Sequence, residues 1–221
     1  MALFQPIDLE TWKRAPYYLH FYEQTRCTYS LTTNLNITAL LQHAKLKGVK
    51  LYPILLYALT QVVNRHEEFR TTINKDGVLG FWQESVPSYT IFHPSDETFS
   101  TLWTESRGGL EEFLVSYASD MATYGHNSGL CIKPEMPESI FHVSSLPWTT
   151  FTSFNINVFS DGSYLLPIFT WGKYVDNQGE CLIPLAVQVH HAVCDGFHVS
   201  RLISELQEQL DGLALEISSW K

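Results

Sequence analysis

The densest group of side chains able to do chemistry lies between residues 185 and 199, where His190, His191, Cys194, Asp195 and His198 fall within nine positions. Alternation along a strand puts Leu185, Val187, Val189 and His191 on one face and Ala186, Gln188 and His190 on the other. His191 thus ends an apolar row, just before the loop residues 192–196. A polar group at the edge of an apolar row is a natural place for a tuned base. An imidazole with its ordinary pKa of about 6.5 is mostly neutral, and hence basic, near neutral pH. A hydrogen-bonded core histidine is the competing reading of such a position.

Other chemistries fit less well. His191 and His198 bracket a carboxylate, but a hydrolytic zinc site needs about three converging ligands, and His190 points away from His191. No metal is expected. Cys194 reads as a small buried filler rather than a nucleophile. Asp195 next to His191 invites a triad, with the carboxylate orienting the ring. No G-x-S-x-G elbow occurs.

The elements that must position these groups follow from periodicity. Residues 17–34, after a break at Pro16, are aromatic and β-branched, which predicts two strands. Ile37, Leu40, Leu41 and Ala44 form a helical stripe with Asn36 as its N-cap and Gly48 as its stop. Asn36-Ile37-Thr38 also matches the glycosylation pattern, without meaning in a cytosolic chain. Pro53 suits a first helical turn, and residues 54–63 are apolar nearly all round, so that helix should be buried. Residues 69–74 and 78–83 flank Asp76-Gly77, a hairpin signal. Leu110, Phe113, Leu114, Tyr117, Ala118 and Met121 mark a helix ending near Gly125. Residues 141–145, 151–159, 164–174 and 181–191 read as strands, and Val199, Leu202, Ile203, Leu206 and Leu210 as a last helix, opened by Gly196. Helices and strands without strict alternation predict an α+β fold, a mixed sheet with helices packed on one side in two layers.

Composition narrows the partners. The 221 residues fit a single domain spanning 1–221, and no linker, repeat or low-complexity tract divides them. The formal net charge is −9 and no basic run exceeds Lys13-Arg14, so the footprint of a nucleic-acid binder is missing. Six Trp, eleven Tyr and thirteen Phe exceed what a core requires and suit a pocket or an interface. Cys27, Cys131, Cys181 and Cys194 are scattered, which favours reduced thiols in the cytoplasm. The amino terminus does not resemble a signal peptide, and the longest apolar run, 52–59, is too short to span a membrane.

His190-His191-Ala192-Val193-Cys194-Asp195-Gly196 has the H-H-x-x-x-D-G form and resembles the coenzyme A-dependent acyltransferase superfamily. The run from Val187 to Val199 is more closely similar to the chloramphenicol acetyltransferase family. So are Ser144-Ser145-Leu146-Pro147-Trp148 and Phe151-Thr152-Ser153-Phe154-Asn155-Ile156-Asn157-Val158. Tyr52-Pro53, Phe92-His93, Glu97-Thr98-Phe99-Ser100 and Pro167-Ile168-Phe169-Thr170-Trp171-Gly172-Lys173-Tyr174 follow the same order, so the likeness covers essentially the whole chain.

The resemblance implies acetyl transfer from acetyl-coenzyme A, a co-substrate rather than a resident cofactor, to the primary hydroxyl of chloramphenicol. His191 would be the general base, worth ~10²–10⁴-fold. Ser144 would donate to the tetrahedral oxyanion, worth about 3 kcal/mol. Thr170 would support the same intermediate through water. Asp195 would pair with Arg14 and shape the loop instead of forming a triad, with Gly196 following where a Cβ would crowd the turn. Phe21, Cys27, Phe99, Phe154, Ile156 and Ile168 match acceptor-pocket positions; Trp148, Tyr174, Lys50, Tyr52 and Lys173 match the coenzyme A tunnel. Cys131 stands where relatives often carry a pocket aromatic. The family implies a homotrimer with active sites between subunits. The same transfer to another small alcohol, or a trimer that sequesters a ligand without turnover, remain the alternatives.

Overall fold

A computed structural model describes residues 2–158 and 162–220. In chain order the elements are β1 (Phe4–Pro6), α1 (Ala15–Leu19), β2 (Thr28–Asn36), α2 (Thr38–Leu46), α3 (Leu51–Val63), β3 (Thr71–Ile73), β4 (Leu79–Trp82), β5 (Val86–His93), β6 (Thr98–Trp103), α4 (Leu110–Tyr124), β7 (Ile140–Leu146), β8 (Ile168–Gly172), β9 (Val175–Asn177), β10 (Glu180–His190) and α5 (Gly196–Ser219). The main sheet runs β2-β10-β8-β7-β5-β6, with β9 pairing β10 at one end. Its pairing is parallel for β5/β7 and β7/β8 and antiparallel elsewhere, so the sheet is mixed, as expected. A second, three-stranded sheet β1-β4-β3 joins the expected β3–β4 hairpin to β1, a strand the sequence did not foreshadow. Among the described residues no helix is long and apolar enough to cross a membrane.

Each side of the main sheet has its own character. Leu185, Val187 and Val189 of β10, Phe169 and Trp171 of β8, and Phe141 and Val143 of β7 join one core with residues of α2, α3, α4 and α5. The alternate residues point the other way: Ala186 beside Thr170, Thr170 beside Ser144, Gln188 beside Ile168 and Ile168 beside His142. That second face carries the polar residues.

Several elements follow the predicted pattern. Ile37, Leu40, Leu41 and Ala44 are buried, and the Asn36 side chain accepts the Thr38 N–H at 3.0 Å. In α3, Ile54 to Thr60, Val62 and Val63 are buried all round the helix. The Asp76-Gly77 hairpin forms, with Gly77 at φ 77°.

Other expectations are corrected. Residues 17–24 are helical, not a strand: Pro16 sits in the first turn of α1, where its missing N–H costs nothing, and His20–Gln24 continue as a π-helical turn. Residues 151–158 form no strand, and Phe159 lies outside the described residues. In the stretch 164–174 only Ile168–Gly172 is strand. It stops where Gly172 packs so closely that a Cβ would come within 2.6 Å of Pro184 and 2.7 Å of Phe151.

Candidate active site

β10 ends at His190, and a tight turn then presents His191. The His191 N–H donates to the Cys27 carbonyl at 2.8 Å, tying the turn to the start of β2. The imidazole stacks on Phe21, with centroids 4.0 Å apart and planes 6° from parallel, and meets the edge of Tyr29 at 5.4 Å. It remains 31% exposed. Pro16, Tyr17, His20, Phe21 and Asp195 line an open concavity with it.

The ring is oriented from behind. Its Nδ1 lies 3.2 Å from the Cys194 carbonyl oxygen and 3.2 Å from Oδ1 of Asp195. Both are acceptors, so Nδ1 carries the proton and Nε2 keeps a lone pair. Arg14 locks this arrangement. Its guanidinium donates to both Asp195 oxygens at 2.6 and 2.7 Å, to the Ala192 carbonyl at 2.8 Å and to the His191 carbonyl at 2.8 Å. The hydrogen bonds from Arg14 hold the Asp195 carboxyl below its ordinary pKa, against the opposing pull of desolvation. The expected Arg14–Asp195 pair is therefore present, and the same carboxylate also faces the imidazole. Gly196 is a correction: open space lies where its Cβ would sit, so crowding does not explain that glycine.

Cys194 is 1% exposed and burial raises its thiol well above the ordinary range, so it is no nucleophile. The His198 Nδ1 accepts the Asp195 N–H at 2.9 Å, a cap rather than a metal ligand. Among the described residues no group of three or more His, Cys, Asp or Glu could hold a metal ion.

Ser144 and Thr170 are direct neighbours across β7 and β8, on the polar face of the sheet. Thr170 in turn pairs with Ala186, five residues before His191. At about 3.3 Å per strand residue this is roughly 17 Å, too far for one substrate atom to meet both groups within a chain. The acceptor-pocket positions divide in the same way. Phe21 and Cys27 accompany His191. Ile168 stands beside Thr170's strand neighbours, the Ile156 N–H donates to Gln188 Oε1 at 3.0 Å, and the Phe154 N–H donates to Thr32 Oγ1 at 3.3 Å. Phe99 is 54% exposed, paired with Phe92 across β5 and β6. Phe92 meets Trp148 edge-on at 4.6 Å.

Of the coenzyme A positions, Trp148, Lys173 and Tyr174 cluster: the Lys173 N–H donates to the Thr149 carbonyl, and Trp148 and Tyr174 are exposed. Lys50 precedes the first turn of α3. The Tyr52 hydroxyl is buried near Thr90, and burial raises its pKa. Cys131 is exposed and bridges to Thr101. Two further side chains border these groups without having stood out in the sequence: Tyr29, and His142, which shares Ser144's face two residues earlier, where the β7 alternation run backwards from Ser144 points. Burial lowers the His142 pKa.

The chloramphenicol acetyltransferase family model matches residues 2–207. A chloramphenicol acetyltransferase of Clostridium perfringens is 50% identical over 209 residues, 95% of this chain and 99% of that protein. One from Vibrio anguillarum is 50% identical over 210 residues, covering 95% of each. A solved chloramphenicol acetyltransferase structure superposes with a TM-score of 0.85 at 22% identity, covering 94% of this chain and all of that one. The chain belongs to the chloramphenicol acetyltransferase family.

Proposed function

We propose that this protein transfers the acetyl group of acetyl-coenzyme A to the primary hydroxyl of chloramphenicol, inactivating the antibiotic. The observation that carries this reading is the held imidazole of His191, with Nδ1–H committed to the protein and Nε2 free to take a proton. As the hydroxyl oxygen attacks the thioester carbonyl, its proton passes to Nε2. The tetrahedral oxyanion accepts a hydrogen bond from Ser144, with Thr170 supporting it through water. Collapse breaks the carbon–sulfur bond, the sulfur takes the proton from Nε2, and the ester and free coenzyme A leave. No covalent acyl-enzyme is needed.

The separation of His191 from Ser144 supports a homotrimer whose sites lie between subunits. One protomer supplies His191, Phe21 and Cys27. Its neighbour supplies Ser144, Thr170, Phe99, Phe154, Ile156 and Ile168. Trp148, Tyr174, Lys50, Tyr52 and Lys173 flank the coenzyme A path. Arg14 and Asp195 hold the loop. We read residues 1–221 as one two-layer domain working in the cytoplasm without metal, nucleic acid or membrane. A thiol-release assay tests the reading: free coenzyme A should appear only when chloramphenicol is present. Equal release without the drug, or faster release with another alcohol, contradicts the assignment.

A further inference from the structure

The peptide linking Cys194 to Asp195 has a histidine at each end. Its carbonyl oxygen lies 3.2 Å from Nδ1 of His191, and its N–H donates to Nδ1 of His198 at 2.9 Å. A peptide is a planar, resonance-coupled unit, so what happens at its N–H is felt at its oxygen. An acceptor on the N–H increases the negative charge on the carbonyl, and chained hydrogen bonds strengthen one another by roughly 10–30% each. We propose that His198 is a positioning residue for His191, acting through this single peptide group to strengthen and aim the carbonyl that holds the catalytic ring.

The helix cap formed by His198 is continuous with the carbonyl that holds His191. His198 occupies the third position of α5, where a Glu or Gln commonly closes a capping box by accepting the N-cap N–H. The box is closed from both sides here, while both oxygens of Asp195 also bind Arg14. His198 is thus the side chain that fixes the Asp195 N–H. It can accept only while Nδ1 is unprotonated, and burial, the largest influence on it, lowers its pKa. The charges around it are Glu68, Arg14, Asp195 and Arg201, with Lys13 and Glu67 lining the same concavity. Glu68, paired with Arg201, and Asp195, paired with Arg14, pull the other way, but desolvation outweighs them and the two arginines work with it.

This inference rests on His191 being the base, and the experiment separates the two. His198→Gln keeps a neutral acceptor at the position, whereas His198→Met removes it at similar size. The Met variant should lose roughly tenfold in kcat, about 1.4 kcal/mol of barrier. Its KM for both substrates should stay within about twofold, and the acid limb of its kcat/KM profile should move to lower pH, because a weaker carbonyl acceptor stabilises the imidazolium less. The Gln variant should restore kcat to within about threefold. A folded Met variant with wild-type kcat and pH profile overturns the proposal, as does a Gln variant no better than Met. If the Met variant does not fold, the acid limb decides: wild type should fall by up to about a further tenfold below His198→Gln where His198 gains its proton, and superimposable limbs overturn the idea. Should His191→Ala retain full activity, the underlying reading of the base fails instead.

Discussion

Nδ1 of His191 faces the Cys194 carbonyl and the Asp195 carboxylate, and this fixes the tautomer before any substrate arrives. His191→Ala should therefore lower kcat by ~10²–10⁴-fold with an unchanged melting temperature, measured by thiol release and thermal unfolding. Arg14→Met should also cost more in rate than in stability. It leaves three carbonyl and carboxylate partners without their donor, but Asp195 is 37% exposed, so water screens the stability loss to about 1 kcal/mol. The Asp195 pKa is depressed in the fold, so the pair's contribution is present above the ordinary Asp value of about 3.9 and disappears as pH falls through the folded value. A pH series of unfolding midpoints for wild type and Arg14→Met checks this; the two curves should converge in acid. At this scale His191, Arg14 and Asp195 were legible because a strand end, a loop and a family motif coincide. Tyr29 was not, because its meaning comes from a ring distant in sequence, and His142 shows only once the alternation is run back from Ser144.

The helices α2, α3, α4 and α5 were readable from apolar spacing, since each turns one stripe or its whole surface into the core. Leu59 is fully buried in α3, and Leu59→Ala should cost about 2–5 kcal/mol in chemical denaturation. The misread elements share a cause. Aromatic and β-branched residues suit strands, but Tyr17, Tyr18 and Tyr22 instead pack as helical neighbours, the rings of Tyr18 and Tyr22 stacking at 4.9 Å. Tertiary contact overrode propensity there, as it did at 151–158, whose backbone bonds to the Thr32 and Gln188 side chains in place of a ladder. Gly172 holds that segment close to the sheet. Gly172→Ala should displace Phe151, and with it Phe154 and Ile156, raising the KM for chloramphenicol while leaving the KM for acetyl-coenzyme A nearly unchanged.

Over the whole molecule, His191 and Ser144 lie at separate places on one sheet. The polar face holding Ser144 and Thr170 and the loop holding His191 lie apart along the sheet, and the proposed trimer would bring one of each together from two protomers. Residue patterns alone do not show this separation, which depends on the register of β7, β8 and β10; only the family resemblance implied sites between subunits. Burial also lowers the pKa of His142, His190 and His198. The fold favours their neutral rings, so stability should be full above the ordinary His value of about 6.5 and fall as pH drops through it, levelling off below the depressed values. The most direct test combines two inactive variants. His191→Ala and Ser144→Ala should each be slower by at least about a hundredfold. Co-expressed, they should form mixed trimers in which one site of three draws both intact residues from different protomers, restoring roughly a quarter of wild-type activity. A mixture no more active than its parents would contradict a site shared between subunits.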